Sequence, residues 1–218
     1  MEPDNPLLDD FVLRLTRKRK PKVCFVPTAS GDSDTYVAGF YRAFPATRCE
    51  SSHLSLFHSG IPDLAPFLCS QDVIYVGGGS TANMLAVWRL HGMDKELRRA
   101  WQAGVVLCGV SAGALCWFEG GITDSFGSSF SALHDGLGFL KGGFCPHYDG
   151  ESQRRPSLHR EITRGLLPTI AADDGAAVHF IDTKFAEVIS SRPNARAYRV
   201  RMVSGKVRED AIDTRYLG

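Results

Sequence analysis

Residues 105–113 read VVLCGVSAG, and the fold class turns on how that stretch divides. Val105 to Cys108 is a short apolar run rich in β-branched residues, the pattern of a buried strand. Gly109, Val110, Ser111, Ala112 and Gly113 follow as a G-x-S-x-G, after which Ala114 to Phe118 is expected to resume as a helix. Strand, glycine turn and helix in succession are the repeating unit of a parallel sheet flanked by helices. In a nucleophile elbow, small flanking residues permit a strained turn that lifts the serine hydroxyl clear of the sheet edge. The N–H of the next residue then lies at a helix N-terminus, where it can meet an oxyanion. A glycine turn with an N-capping serine has the same residues. The strand before and the helix after favour the elbow.

Working outward, Asp72 to Val76 (DVIYV) is a second buried strand that runs directly into Gly77, Gly78, Gly79, Ser80 and Thr81, and Thr81 to His91 reads as a helix. Neither G-x-G-x-x-G nor Gly-Lys-Ser/Thr is present, so this cluster reads as a source of a further oxyanion N–H in preference to a phosphate cradle. Upstream, Leu8 to Leu15 is helical with Leu8, Phe11, Val12 and Leu15 on one face. Lys22 to Pro27 is a strand, Thr28 to Asp34 a loop, Asp34 to Phe44 a helix, His53 to Phe57 a strand and Pro62 to Ser70 a short helix or turn; Lys95 to Ala103 is a further helix. Downstream, Gly120 to Gly150 reads as loops and brief strands, and Ser157 to Arg164 as a helix. Ile170 to Ala172, Ala176 to Ile181, Glu187 to Ser190 and Ala197 to Val203 read as strands, the last two joined by a turn at Pro193 and Asn194 and followed by Ser204 and Gly205. The expected architecture is a single α/β domain over residues 1–218, with a mostly parallel sheet flanked by helices and a small antiparallel C-terminal extension.

Composition removes several functions. Lys and Arg number 25 against 24 Asp and Glu, a net charge of +1, and only Arg17 to Lys20 forms a basic run. That balance speaks against a nucleic-acid partner. No apolar stretch reaches the length of a membrane span, and Met1 to Asp10 is acidic without an apolar signal core, so the expected location is cytoplasmic with no membrane partner. The cysteines Cys24, Cys49, Cys69, Cys108, Cys116 and Cys145 are scattered without a C-x-x-C pair, and they read as buried thiols rather than a disulfide frame or zinc cluster. Oligomeric state is not legible, and a homodimer is the default expectation.

A serine hydroxyl needs a base, most often a histidine oriented by a carboxylate. His53, His58, His91 and His159 read as surface or capping residues, whereas His134 and His179 are harder to dismiss. His147 stands out because Phe144 to Asp149 (FCPHYD) is an apolar piece entering a polar loop, where strand-end active-site residues sit. For the carboxylate, Asp124 and Asp135 give the chain order Ser, Asp, His, while Asp174 gives Ser, His, Asp. Asp173 and Asp174, between apolar segments and before Gly175, also suit a turn.

GGGST at Gly77 to Thr81, GVSAGA at Gly109 to Ala114, PHYDGE at Pro146 to Glu151 and ADDGAA at Ala172 to Ala177, in that order, resemble the peptidase E family. Its members are cytosolic serine peptidases that include the aspartyl dipeptidases and, more distantly, the cyanophycinases. The resemblance runs from about Lys22 to about Ser190. It implies a fold related to the class I glutamine amidotransferases, with serine in place of their nucleophilic cysteine. By position it implies Ser111 as nucleophile, His147 as general base and Asp174 as third triad member, where the aspartyl dipeptidases have Glu. It further implies an oxyanion hole from Gly79 and the Ala112 N–H, and Arg155, with Arg154 beside it, at the acidic side chain of a substrate. Ser80 is placed at the substrate too, although the family usually has Asn there. The chain also opens with the helix Leu8 to Leu15, where the family commonly has a glycine-rich first strand.

The expected function is therefore a serine exopeptidase or dipeptidase acting on short peptides, with N-terminal Asp as the narrower expectation, and needing no metal or organic cofactor. An esterase with the same triad, a metal hydrolase built on His147, Asp149 and a further histidine, and a non-catalytic binding protein on this fold are the alternatives.

Overall fold

Along residues 1–113 short apolar strands alternate with helices, so each strand can return beside an earlier one in the same direction. A computed structural model describes residues 1–2, 4–58 and 63–218. The chain forms two compact units, Met1–Gly113 and Ala114–Gly218.

The first unit contains α1 (Leu7–Leu15), β1 (Lys22–Val26), a 3-10 turn (Thr28–Ser30), α2 (Asp34–Ala43), β2 (Glu50–His53), α3 (Leu64–Cys69), β3 (Val73–Val76), α4 (Thr81–His91), α5 (Met93–Gln102) and β4 (Val106–Gly109). Its strands pair in parallel in the order β2-β1-β3-β4. Because side chains alternate across a strand, Val23, Phe25, Val73 and Tyr75 share one face, where Phe40 and Ala43 of α2, followed by Phe44, pack against them. Phe25 stacks on Phe40 with centroids 4.9 Å apart and meets Tyr36 edge-on at 5.2 Å. Val12 and Leu13 of α1 join this cluster.

Three local features differ in detail from the expectations. Helix α1 forms where expected and its stripe Leu8, Phe11, Val12 and Leu15 is partly buried, but its one fully buried residue is Asp9. Burial pushes the Asp9 pKa up, and the N-terminal ammonium, Arg48 and the Tyr75 hydroxyl offset that effect. The second strand lies at Glu50–His53, ahead of the expected His53 to Phe57. The ladder with β1 aligns Lys22 with Glu50 and Phe25 with His53, and the Leu54 N–H adds a last bond to Phe25. Leu54 and Leu56 are buried as apolar residues should be, yet they lie past the pairing. Thirdly, the helix expected at Ala114 to Phe118 is a single turn, α6 (Ala112–Leu115), because Phe118 already opens the next strand. Pro62, the expected start of the helix seen as α3, is outside the described residues.

The second unit continues with β5 (Phe118–Thr123), β6 (Ser131–Leu133), β7 (Leu140–Cys145), α7 (Arg154–Thr163), β8 (Thr169–Ala172), β9 (Ala176–Ile181), β10 (Lys184–Ser190), β11 (Ala197–Val203), β12 (Lys206–Ile212) and β13 (Thr214–Tyr216). One sheet runs β12-β11-β8-β7-β5-β6, with β5, β7 and β8 parallel at its centre and antiparallel strands on both sides. The other runs β13-β10-β9. Helix α7 tolerates Pro156 because the residue falls in its first turn, where an N–H has no helical acceptor to lose. Its Leu158 and Ile162 pack on Ile122, Cys145, Ala171 and Val200 of the larger sheet. The fold class is α/β with a mostly parallel sheet and flanking helices, to which antiparallel strands are added.

Cys24, Cys49, Cys116 and Cys145 are buried free thiols, and burial pushes Cys24 and Cys145 up to about 12. Cys69 departs from the expectation and is exposed.

Phe25 is the residue on which the first core centres, since it touches α2, β3 and Tyr36 at once. Phe25→Ala is expected to cost about 3–5 kcal/mol in the first unit, read as a lowered midpoint in urea unfolding.

Candidate active site

Ser111 follows β4 directly and has φ +54°, a conformation that L residues other than Gly, Asn and Asp rarely adopt. Two glycines make it possible. A Cβ on Gly113 would fall on the Val76 carbonyl, and one on Gly109 would fall on the Gly113 carbonyl and lie 2.8 Å from the Val76 oxygen. The same Val76 oxygen accepts the Val110 N–H at 3.1 Å, and Gly113 N–H closes the turn onto Val110 at 2.9 Å. The turn is thus folded around the end of β3, and the serine has the strained strand-to-helix geometry of a nucleophile elbow.

The other glycine cluster lies alongside. Gly77 donates to the Val26 carbonyl at 3.0 Å, and Gly78 donates to the Tyr36 hydroxyl at 3.0 Å. Gly79, with φ +138°, sits where any Cβ would fall on the Ala29 carbonyl, which also accepts the Ser80 N–H at 2.8 Å. Among the described residues, no acceptor is found for the N–H of Gly79 or of Ala112. A Cβ on Gly78 would lie 3.2 Å from the Ser111 Cβ, so Ser111 and the glycine loop are immediate neighbours. The Ser80 hydroxyl caps α4 by accepting the Asn83 N–H at 3.3 Å.

In the second unit His147 follows β7, also with positive φ (+56°), and its Nδ1 is 2.6 Å from Asp174 Oδ1. A neutral imidazole in that bond carries its proton on Nδ1, which leaves Nε2 as the lone-pair nitrogen. Asp174 is itself fixed, since its N–H donates to Asp149 at 2.7 Å and a Cβ on Gly150 would fall on its carboxylate. Asp173 faces elsewhere: it exchanges backbone and side-chain bonds with Arg196, and burial pushes its pKa up. Asp124 and Asp135 lie on exposed segments at the ends of β5 and β6. His179 lies 3.7 Å from Glu187 on the neighbouring strand, and His134 is exposed.

Arg155 is already engaged. It donates to Glu209 at 2.7 Å and lies over the rings of Tyr148 and Tyr198, at 4.6 and 5.2 Å. Glu209 also bonds His159 at 2.9 Å and the Tyr148 hydroxyl. Arg154 is buried against Glu151 at 2.6 Å and over Phe130 at 4.1 Å. Among the described residues no three His, Cys, Asp or Glu side chains gather so as to hold a metal ion.

Sequence reasoning missed Tyr36, because a tyrosine on an amphipathic helix reads as core, and it missed Asp149 and Gly150 as supports of Asp174. The last two lie inside the quoted PHYDGE segment; Tyr36 has no comparable sequence signal.

The first unit thus carries a serine on a strained strand-to-helix turn, and the second a histidine bound to a carboxylate. The chain belongs to peptidase family S51, whose model matches residues 1–188, and it is a peptidase by that membership. It is 51% identical over 219 residues to the uncharacterized peptidase YgaJ of Bacillus subtilis (strain 168), covering 100% of this chain and 94% of that one. Two crystal structures share the fold. One is of a Listeria monocytogenes EGD-e protein assigned to peptidase E (TM-score 0.60, 19% identity, 93% of each chain). The other is of a peptidase from an acI-B1 Actinobacterium (TM-score 0.65, 17% identity, 95% of this chain and 91% of that one).

Gly113→Ala tests the constraint at Val76. The added methyl has no free space to enter, so the variant is expected to lose about 3 kcal/mol or more, measured by urea unfolding, and to lose hydrolysis with it.

Proposed function

We propose that the protein is a serine peptidase that hydrolyses short peptides through an acyl-enzyme, with Ser111 as nucleophile, His147 as general base and Asp174 as the carboxylate that orients it. The observation that carries this reading is the 2.6 Å bond between His147 Nδ1 and Asp174, which sets the tautomer a general base requires. Ser111 Oγ attacks the peptide carbonyl while His147 Nε2 takes its proton, and Asp174 stabilises the imidazolium that forms. The tetrahedral oxygen accepts from the N–H groups of Gly79 and Ala112, neither of which has another acceptor among the described residues. His147 then protonates the leaving amine, and water releases the acyl group by the same steps in reverse.

Specificity for N-terminal Asp would require the substrate carboxylate to displace Glu209 from Arg155. The guanidinium already has that counter-charge at 2.7 Å, so hydrolysis across dipeptides varied at the first residue is expected to favour Asp over Ala by less than about tenfold. A large Asp preference lost in Arg155→Ala would instead assign Arg155 to the substrate. The cytoplasm, with its short peptides, is the proposed compartment, and a homodimer the proposed assembly.

Ser111→Ala is expected to lower kcat by about 10⁴-fold or more while leaving the fold intact, and Asp174→Asn by about 10⁴-fold through the wrong imidazole tautomer. Steady-state kinetics on purified variants, with circular dichroism as the folding control, read both outcomes. Hydrolysis retained by Ser111→Ala would overturn the mechanism, and turnover confined to esters would transfer the same triad to an esterase.

A further inference from the structure

The space left by the missing side chain of Gly78 has two polar walls. A Cβ placed there would stand 3.2 Å from the Ser111 Cβ and 3.6 Å from the Tyr36 hydroxyl oxygen, with the Val110 carbonyl also at 3.6 Å. The phenol of Tyr36 therefore lies at the same small gap as the nucleophile. We propose that Tyr36 is a further catalytic residue, whose hydroxyl donates to the substrate carbonyl oxygen as it becomes an oxyanion at Ser111. This rests on the reading of Ser111 as nucleophile and extends it.

Three observations support the donor role. The Tyr36 oxygen accepts the Gly78 N–H at 3.0 Å, and no acceptor for its own O–H is found among the described residues, so its proton remains to be given. Accepting one bond polarises a hydroxyl and strengthens the bond it donates. The ring is held in place, edge-on to Phe25 at 5.2 Å and close against Gly77, where a Cβ would meet its Cε1 at 3.1 Å. Burial pushes the phenol pKa up, which keeps the O–H protonated over the range in which a histidine base operates. Tyr36 also explains the economy of the glycine loop. The Gly77 and Gly78 N–H groups are spent on Val26 and Tyr36, so the phenol replaces as a donor the N–H that it occupies.

Labelling of Ser111 by a serine-reactive phosphonate, absent in Ser111→Ala, tests the underlying reading by itself. Given that labelling, Tyr36→Phe keeps the ring and removes the donor. It is expected to lower kcat on a neutral dipeptide by about 10²–10³-fold, with KM within about threefold and Tm within about 4 °C. A peptide aldehyde, which forms a tetrahedral adduct with Ser111, should lose affinity by the same factor as kcat. A kcat within threefold of the parent, or a loss of kcat with aldehyde affinity unchanged, would overturn the proposal. Should Tyr36→Phe fail to fold, 3,5-difluorotyrosine at position 36 is close to isosteric and has a more acidic phenol. It is expected to give kcat a new alkaline limb, and a pH profile identical to the parent's would overturn the proposal equally.

Discussion

The carbonyl of Val76 is the point around which the first unit is arranged. Parallel pairing of β3 with β4 sets Val76 beside Gly109, and its oxygen takes the Val110 N–H immediately beyond the pairing. The chain must then reverse into α6 within a residue or two, with that oxygen filling the inside of the bend. Any Cβ at position 113 would collide with it, and one at position 109 would collide with the closing turn. Ser111 is left in the left-handed region, a conformation that costs on the order of 1–3 kcal/mol. Main-chain bonding on both sides and the buried strands below hold it there. The residue after Val76 begins the Gly77 to Gly79 loop, so the end of a single strand fixes both glycine clusters.

The α/β class was legible because buried parallel strands are short apolar runs, and DVIYV and VVLCG could hardly be anything else. The elbow was legible for the same reason: G-x-S-x-G gains meaning from the strand before it. Less legible were elements whose side chains carry no periodic signal. The edge strand Glu50–His53 is polar, and the apolar Leu54 and Leu56 drew the expectation a few residues downstream. Strand β12 interrupts its apolar residues with Lys206, Arg208, Glu209 and Asp210, and β13 is only the three residues Thr214–Tyr216; they form because β11 and β10 supply the pairing. The reversal between β11 and β12 uses Ser204 and Gly205 at φ +49° and +76°, the two positive angles of a type I′ turn, and Ser-Gly there announced a turn without announcing the second strand. For the candidate site, residue-level reading singled out Ser111 and His147 but left the acid open among several positions, and the resemblance supplied Asp174. What separates Asp174 from Asp173 is backbone geometry. Adjacent residues point apart, and one reaches a histidine while the other closes on Arg196.

Charge in the second unit follows local rather than global balance. A near-neutral sequence had left room for Arg154 and Arg155 to serve one acidic group in a ligand, yet each has an internal carboxylate, Glu151 and Glu209. Arg154 is buried, where an unpaired guanidinium would be costly, so Glu151 and the Phe130 ring are part of its accommodation. Arg155 is half exposed and its pairing is correspondingly weaker in water. Glu209, however, also holds His159 and Tyr148, and a carboxylate with three partners is harder to displace than one with a single partner.

The glycines around Ser111 and His147 give space more than flexibility. Gly78 leaves a gap beside the serine, Gly79 clears the Ala29 carbonyl, and Gly150 clears the carboxylate of Asp174. At each position a methyl group would occupy the volume that a functional atom or its support now holds. Ser111 and His147, which bear part of the proposed chemistry, are both held at positive φ. Strain and missing side chains are thus two sides of one arrangement. Backbone is brought closer to Ser111 and to Asp174 than an ordinary sequence permits, and the main-chain N–H groups beside Ser111 have positions that the sheet fixes in advance.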